Sequence, residues 1–190
     1  MPTITIAYHT GNGHTLRVAE HVLAGLTAVG CQASLIDVDG IDDAGWAQLR
    51  NSDGIIFGSP TYMGSVSGPF KSFMDASSNF WIEQHWADKI GAAFTVGASA
   101  SGDKLNSLVQ MSIFAAQHGM IWVGQNHVGS KHTGDGEALN QAGSWLGLMA
   151  QSSDDKASLI VPEDVKTAER FGRRVGHATI RWATSEAAAE

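Results

Sequence analysis

The sequence predicts a three-layer α/β sandwich, one five-stranded parallel sheet of order 2-1-3-4-5 with helices on both faces. Three observations lead there. Short β-like runs alternate with amphipathic stretches along the chain, and parallel neighbours need such crossover connections. Two of the runs, 54–58 (GIIFG) and 91–97 (GAAFTVG), are apolar almost throughout, as strands buried on both faces are. Loops of small residues follow the first, third and fourth runs, and in such a sheet those three loops meet where the strand order reverses.

The strands are read at 3–8 (TITIAY), 31–38 (CQASLIDV), 54–58, 91–97 and 120–124 (MIWVG). The helices are read near 14–29, 43–50, 68–78, 103–118 and 163–182. In the first of them Val18, Val22, Leu26 and Val29 recur at helical spacing and mark the buried side. In the third, Pro69 suits the opening turn, and Phe70, Phe73 and Met74 form the apolar stripe. A chain of 190 residues is read as a single domain, long enough to bury its own core. Residues 125–157 form a long connection rich in Gly, Ser and Asp, with an apolar patch at Trp145, Leu146, Leu148 and Met149 expected to meet another subunit. The tail, 184–190, is expected to fray.

Composition narrows the function classes. With 43% hydrophobic and 16% charged residues the chain reads as globular, and no apolar run nears the roughly 20 residues a membrane span needs. The opening MPTITIAY has no basic region before its apolar stretch, so it is read as a strand and not a signal peptide. A net charge of −7 argues against nucleic-acid binding, and Arg170, Arg173 and Arg174 are read as a solvated helix face. The single cysteine, Cys31, permits no internal disulfide and is read as a small core residue in a cytoplasmic protein.

The first loop carries the most specific chemistry. Thr10, Gly11, Asn12, Gly13, His14 and Thr15 follow a strand and open a helix, so unpaired backbone N–H groups and the positive end of a helix dipole face the same point. That is an anion site, in which Gly11 and Gly13 permit close approach and Thr10, Asn12 and Thr15 add side-chain donors. A triphosphate loop would need Gly-Lys-Ser/Thr, and no lysine is present. The dinucleotide fingerprint fits Gly11 and Gly13 but meets Leu16 where the third glycine belongs; Asp37 would suit a ribose, so that reading stays open beside a mononucleotide or a ligand-free turn. After the third strand, Pro60, Thr61, Tyr62, Met63 and Gly64 join a turn to an aromatic and a sulfur side chain that can lie against a flat ring. After the fourth, Gly97, Ala98, Ser99, Ala100, Ser101 and Gly102 offer N–H and hydroxyl groups for the edge of a heterocycle.

Three stretches, YHTGNGHT (8–15), GSPTYMGSVSGPFKSFMD (58–75) and AAQHGMIWVG (115–124), resemble the flavodoxin-like NADPH-dependent FMN reductases, and within them the WrbA-type NAD(P)H:quinone oxidoreductases. The likeness covers most of 3–124. It implies a flavodoxin-like fold and FMN held with its phosphate in the first loop, its ring on the 60–64 loop and its pyrimidine edge near 97–102. It further implies NADH or NADPH as electron donor, a quinone-type acceptor and a homo-oligomer, dimer or tetramer. Trp81 takes the position of a tryptophan that helps form the pocket over the flavin, and Gln117 and His118 that of a histidine pair. His118 is the candidate helper in proton transfer. Asn12 stands where the WrbA type usually has an aromatic.

Rival readings are a one-electron carrier of the flavodoxin type and an FMN-binding module without turnover. A metal centre finds no support, since neither His127 with His132 nor His14 with His21 has the Cys or acidic partners it needs. A serine hydrolase is read out by the absence of a G-x-S-x-G elbow.

Overall fold

A computed structural model describes residues 1–129 and 138–186, with side chains of the last helix followed to Ala183. His132 lies outside the described residues, as does the end of the tail expected to fray. The chain runs β1 (Thr3–Tyr8), α1 (His14–Thr27), β2 (Gln32–Asp37), α2 (Asp43–Asn51) and β3 (Gly54–Tyr62). It continues through β4 (Ser65–Val66), α3 (Gly68–Ala76), α4 (Ser78–Ile82), β5 (Ile90–Gly97) and α5 (Lys104–Gln117). Last come β6 (Ile121–Trp122), β7 (Leu148–Gln151) and a long helix, α6 (Pro162–Glu186).

The sheet is parallel in the order β2-β1-β3-β5-β6, which is the expected order with β5 as the fourth strand of the reading. Its fifth position differs from expectation. The edge is shared by two pieces: β6 pairs Ile121 and Trp122 with Ile90 and Gly91, and β7 pairs Leu148 to Gln151 with Phe94 to Gly97. The chain leaves the edge after Trp122 and returns to it at Leu148, so Leu148 and Met149, read as a surface patch, are buried sheet residues. Of that patch only Trp145 is well exposed, at 53%.

The third strand also outruns its reading by four residues. Past Gly58 it has left β1, whose last partner is Tyr8, and pairs on the other side with β5 as far as Pro60 and Val96. A strand bordered on one side tolerates a proline. It then turns back on itself through Met63 and Gly64, both at positive φ (49° and 78°), into antiparallel β4. Two left-handed residues in a two-residue loop make a tight hairpin. The 60–64 segment is therefore a hairpin and not an open loop.

Alternation along the strands splits the core in two. Ile4, Ile6, Ile56, Phe94 and Leu148 face α1 and α6, packing on Val18, Val22, Leu26, Phe171 and Val175. Ala7, Ile55, Phe57 and Ala93 face α2 to α5, packing on Leu49, Phe70, Phe73, Leu108 and Phe114. Cys31 joins the first of these clusters, and burial raises its thiol pKa. Among the described residues no helix is long and apolar enough to cross a membrane.

Candidate functional site

At the carboxyl edge of the sheet a cleft of about 230 Å³ opens between β1, β3 and β5. Its walls are Gly11, Asn12, His14 and Thr15 from the first loop, Pro60, Thr61 and Tyr62 from the end of β3, and Val96, Gly97 and Ala98 from the end of β5. Ser152 closes it from the segment after β7.

The first loop is shaped by Thr10. Its Oγ1 accepts the N–H of Gly13 at 3.1 Å and of Leu16 at 3.4 Å, so this hydroxyl caps the start of α1 from within. Gly13, at φ 87°, is the N-cap residue and makes no side-chain cap of its own. That the Thr10 oxygen is engaged inside the loop is a feature of the fold with no local sequence signal. Among the described residues, the N–H groups of Gly11, Asn12, His14 and Thr15 have no protein acceptor. Four free N–H groups at the positive end of a 14-residue helix form a neutral cradle that fits a phosphate monoester. Among the described residues no lysine or arginine lines it.

Tyr62 leans over this loop: a Cβ built on Gly11 would lie 2.3 Å from the Tyr62 Oη. Any side chain at position 11 must displace that ring. Thr61 is fixed from below, its Oγ1 lying 2.7 Å from Thr95 Oγ1 and 2.8 Å from Ser107 Oγ. On the third wall the N–H of Ser152 donates to the Gly97 carbonyl at 3.1 Å, and Gln151 Nε2 donates to the Ala98 carbonyl at 3.0 Å. The 97–98 wall is thereby held from the split edge of the sheet.

The other predicted residues fall outside the lining. Met63 is fully exposed at the hairpin tip beside Gly64, and Ser99, Ala100, Ser101 and Gly102 form an exposed rim. Trp81, Gln117 and His118 are not brought to the cleft. They line a second cavity of about 220 Å³ with Met74, Ser77 and Phe114. α5 starts at the carboxyl edge and runs back along the sheet for 14 residues, roughly 21 Å, so its end lies near the amino edge. Within one chain these three residues are too far from the first loop to share a ligand with it. His118 is itself a core residue, 1% exposed, with its Nε2 3.0 Å from Ser77 Oγ and its ring against Trp86 and Phe114. Burial lowers its pKa to about 4.

Val96 and Ser152 are lining residues that sequence reasoning missed. Val96 lay inside the strand reading, and Ser152 inside the long connection. The apolar run LGLMA just before Ser152 is the signal for a strand there.

A cleft at the carboxyl edge where the strand order reverses, in a 2-1-3-4-5 sheet covered by helices on both faces, defines a flavodoxin-like α/β protein. Comparison with known proteins agrees. The NADPH-dependent FMN reductase family matches residues 43–135. Flavodoxin FldP of Pseudomonas aeruginosa is 38% identical, over 92% of this chain and 95% of that protein. An NAD(P)H dehydrogenase (quinone) of Archaeoglobus fulgidus is 28% identical, over 92% of this chain and 96% of its own length. Among solved structures, a flavodoxin, WrbA-like protein from Agrobacterium tumefaciens superposes with a TM-score of 0.75 at 37% identity, covering 95% of this chain and 99% of its own. The chain belongs to the flavodoxin-like NADPH-dependent FMN reductase/WrbA-type family.

Proposed function

We propose that the protein is an FMN-dependent oxidoreductase that takes electrons from NADH or NADPH and passes them to a quinone-type acceptor. The observation that carries this reading is the set of four unpaired N–H groups at the start of α1, beside the cleft at the carboxyl edge of the sheet. Gly11, Asn12, His14 and Thr15 would hold the FMN phosphate, with Thr10 and Gly13 shaping the loop around it. Pro60, Thr61 and Tyr62 would support the ring, and Gly97 and Ala98 would meet its pyrimidine edge. Bound FMN supplies the redox chemistry, accepting a hydride and releasing its electrons to an acceptor that takes the same face. The chain contributes position and charge. Cleft-lining groups that titrate are limited to His14 and Tyr62 among the described residues, so a reduced quinone would draw its proton from water.

Trp81 and Gln117 enter this reading only from a second copy, whereas His118, enclosed by Ser77, Trp86 and Phe114, reaches no ligand of either copy. The outer face of α5 exposes Leu105 and Ile113, flanked by Met63 at the hairpin tip and by Trp81 and Ile82 on α4. Asn106 Nδ2 donates to the Gly64 carbonyl at 2.6 Å, which ties the hairpin to the start of this helix. Two copies packed through antiparallel α5 helices would set the Trp81 end of one beside the cleft of the other. A dimer or tetramer of this kind is proposed, with the α5 face, not the Trp145 segment, as the main contact. The buried Cys31 suits a reducing compartment, and a cytoplasmic location is proposed with it.

A second reading, one-electron carriage to a protein partner, draws support from the 38% likeness to a protein named a flavodoxin and from the charge of −7. Anaerobic addition of NADH or NADPH to the FMN-loaded protein separates the two. The reductase reading expects the flavin to bleach and benzoquinone to restore its colour over many cycles. No bleaching by either nucleotide, with two resolved one-electron steps on chemical reduction, would favour the carrier.

A further inference from the structure

Lys104, the first residue of α5, is buried to 2% directly behind the cleft wall. Its stem runs under Gly97, where an added Cβ would lie 3.2 Å from Lys104 Cε. Its ammonium donates to the carbonyls of Ala150 at 2.5 Å and Ala100 at 3.3 Å, both neutral acceptors. Taking an ammonium out of water is costly, and an apolar side chain would fill the same space without that cost. The charge therefore calls for a role.

Asp164, in the first turn of α6, is its acidic neighbour. This carboxylate is also buried, and its Oδ2 accepts the Gln151 N–H at 2.7 Å. Gln151 in turn reaches the Ala98 carbonyl, so Asp164 stands one residue further back from the cleft, on a separate cavity of about 320 Å³. The pair presents its positive end to the 97–98 wall. Burial lowers the Lys104 pKa to about 8 and raises that of Asp164, which leaves the lysine mainly charged at neutral pH.

We propose that Lys104 is a positioning residue for charge: it holds a cation behind Gly97 that favours reduced FMN over oxidised FMN, with Asp164 partly opposing it. The proposal rests on the FMN reading above. Hydride transfer from NAD(P)H delivers two electrons and one proton to flavin N5, and the nicotinamide departs as NAD(P)⁺. The added negative charge spreads over N1 and the C2 carbonyl, the edge assigned to the 97–98 wall. A nearby cation in a site of low dielectric stabilises that charge and leaves the neutral oxidised ring almost untouched.

The test compares dissociation constants for oxidised and reduced FMN in wild type, Lys104→Met and Asp164→Asn, with the midpoint potential read against a reference dye. Lys104→Met is expected to weaken reduced FMN at least tenfold relative to oxidised FMN, which lowers a two-electron midpoint by about 30 mV. Asp164→Asn is expected to move the ratio the other way by a fewfold. A purely structural lysine would not give shifts of opposite sign. Unchanged ratios in both variants overturn the proposal, and if Lys104→Met fails to fold, an unchanged ratio in Asp164→Asn overturns it alone. A wild-type chain that binds no FMN overturns the reading beneath it, and that is seen before any potential is measured.

Discussion

Ser77 Oγ donates to the Met74 carbonyl at 2.8 Å and lies 3.0 Å from His118 Nε2, so the serine accepts from the ring and fixes the proton on Nε2. His118 Nδ1 is left bare and buried, without a partner among the described residues. A ring so held is neutral, and it packs 4.3 Å from Trp86 and 4.8 Å from Phe114, centroid to centroid.

That neutrality makes stability depend on pH. In the folded chain the ring resists protonation down to about pH 4, while in the unfolded chain it protonates near its ordinary 6.5. Between those values the unfolded state binds more protons, so stability is full above 6.5 and is lost as pH falls towards 4. Urea unfolding at neutral pH and near pH 4.5 should show wild type losing up to about 3 kcal/mol more than His118→Phe. Equal losses would mean that the ring is not buried as described.

The crossing of α1 and α6 depends on two glycines. A Cβ on Gly172 would fall 2.1 Å from the Val22 carbonyl oxygen, and one on Gly25 would fall 2.0 Å from that of Glu169. Both clashes are with backbone, which cannot rotate away. Gly172→Ala should cost about 3 kcal/mol and lower Tm by several degrees in thermal denaturation, without weakening FMN binding at temperatures where the chain stays folded.

Thr10→Val keeps the size of the side chain and removes the oxygen that caps Gly13 and Leu16. The expected loss of stability is about 1 kcal/mol. FMN affinity should fall much further, by tenfold or more, because the loop no longer holds its free N–H groups on one point. Parallel losses in a chemical denaturation and an FMN titration would make the loop structural only.

The α5 face predicts the oligomer. Wild type should scatter light as a dimer or larger, and Ile113→Lys with Leu105→Glu should shift it to monomer with FMN still bound. A wild type that stays monomeric at every concentration would remove Trp81 and Gln117 from the site.

The helices and the sheet order were legible because their signals are local: apolar spacing for α1 and α6, continuous apolar runs for β3 and β5, small residues at three strand ends. What escaped was non-local. Nothing within Ile121–Trp122 or LMAQ shows that the two segments share one sheet edge, and so the sequence alone does not bring Ser152 to the cleft. Pro60 reads as part of the loop after a strand that ends at Gly58, yet β3 continues through it because β1 has already ended beside it. Trp81, Gln117 and His118 were read into the cleft by resemblance, a signal of residue type that carries no information on which copy of a chain a residue serves. Thr10 was read as a donor to a ligand, and only the fold shows its oxygen turned to the backbone.

Four backbone N–H groups, with no lysine or arginine beside them among the described residues, are expected to hold the phosphate of FMN. Equilibrium titrations of the purified protein with FMN and with riboflavin, followed by flavin fluorescence, test it most directly. Hydrogen bonds to a charged group contribute about 1.5–3 kcal/mol each, so FMN should bind at least 100-fold more tightly than riboflavin, with one FMN per chain. Equal affinities for the two, or no binding of FMN, would show that the loop at the start of α1 is not a phosphate site.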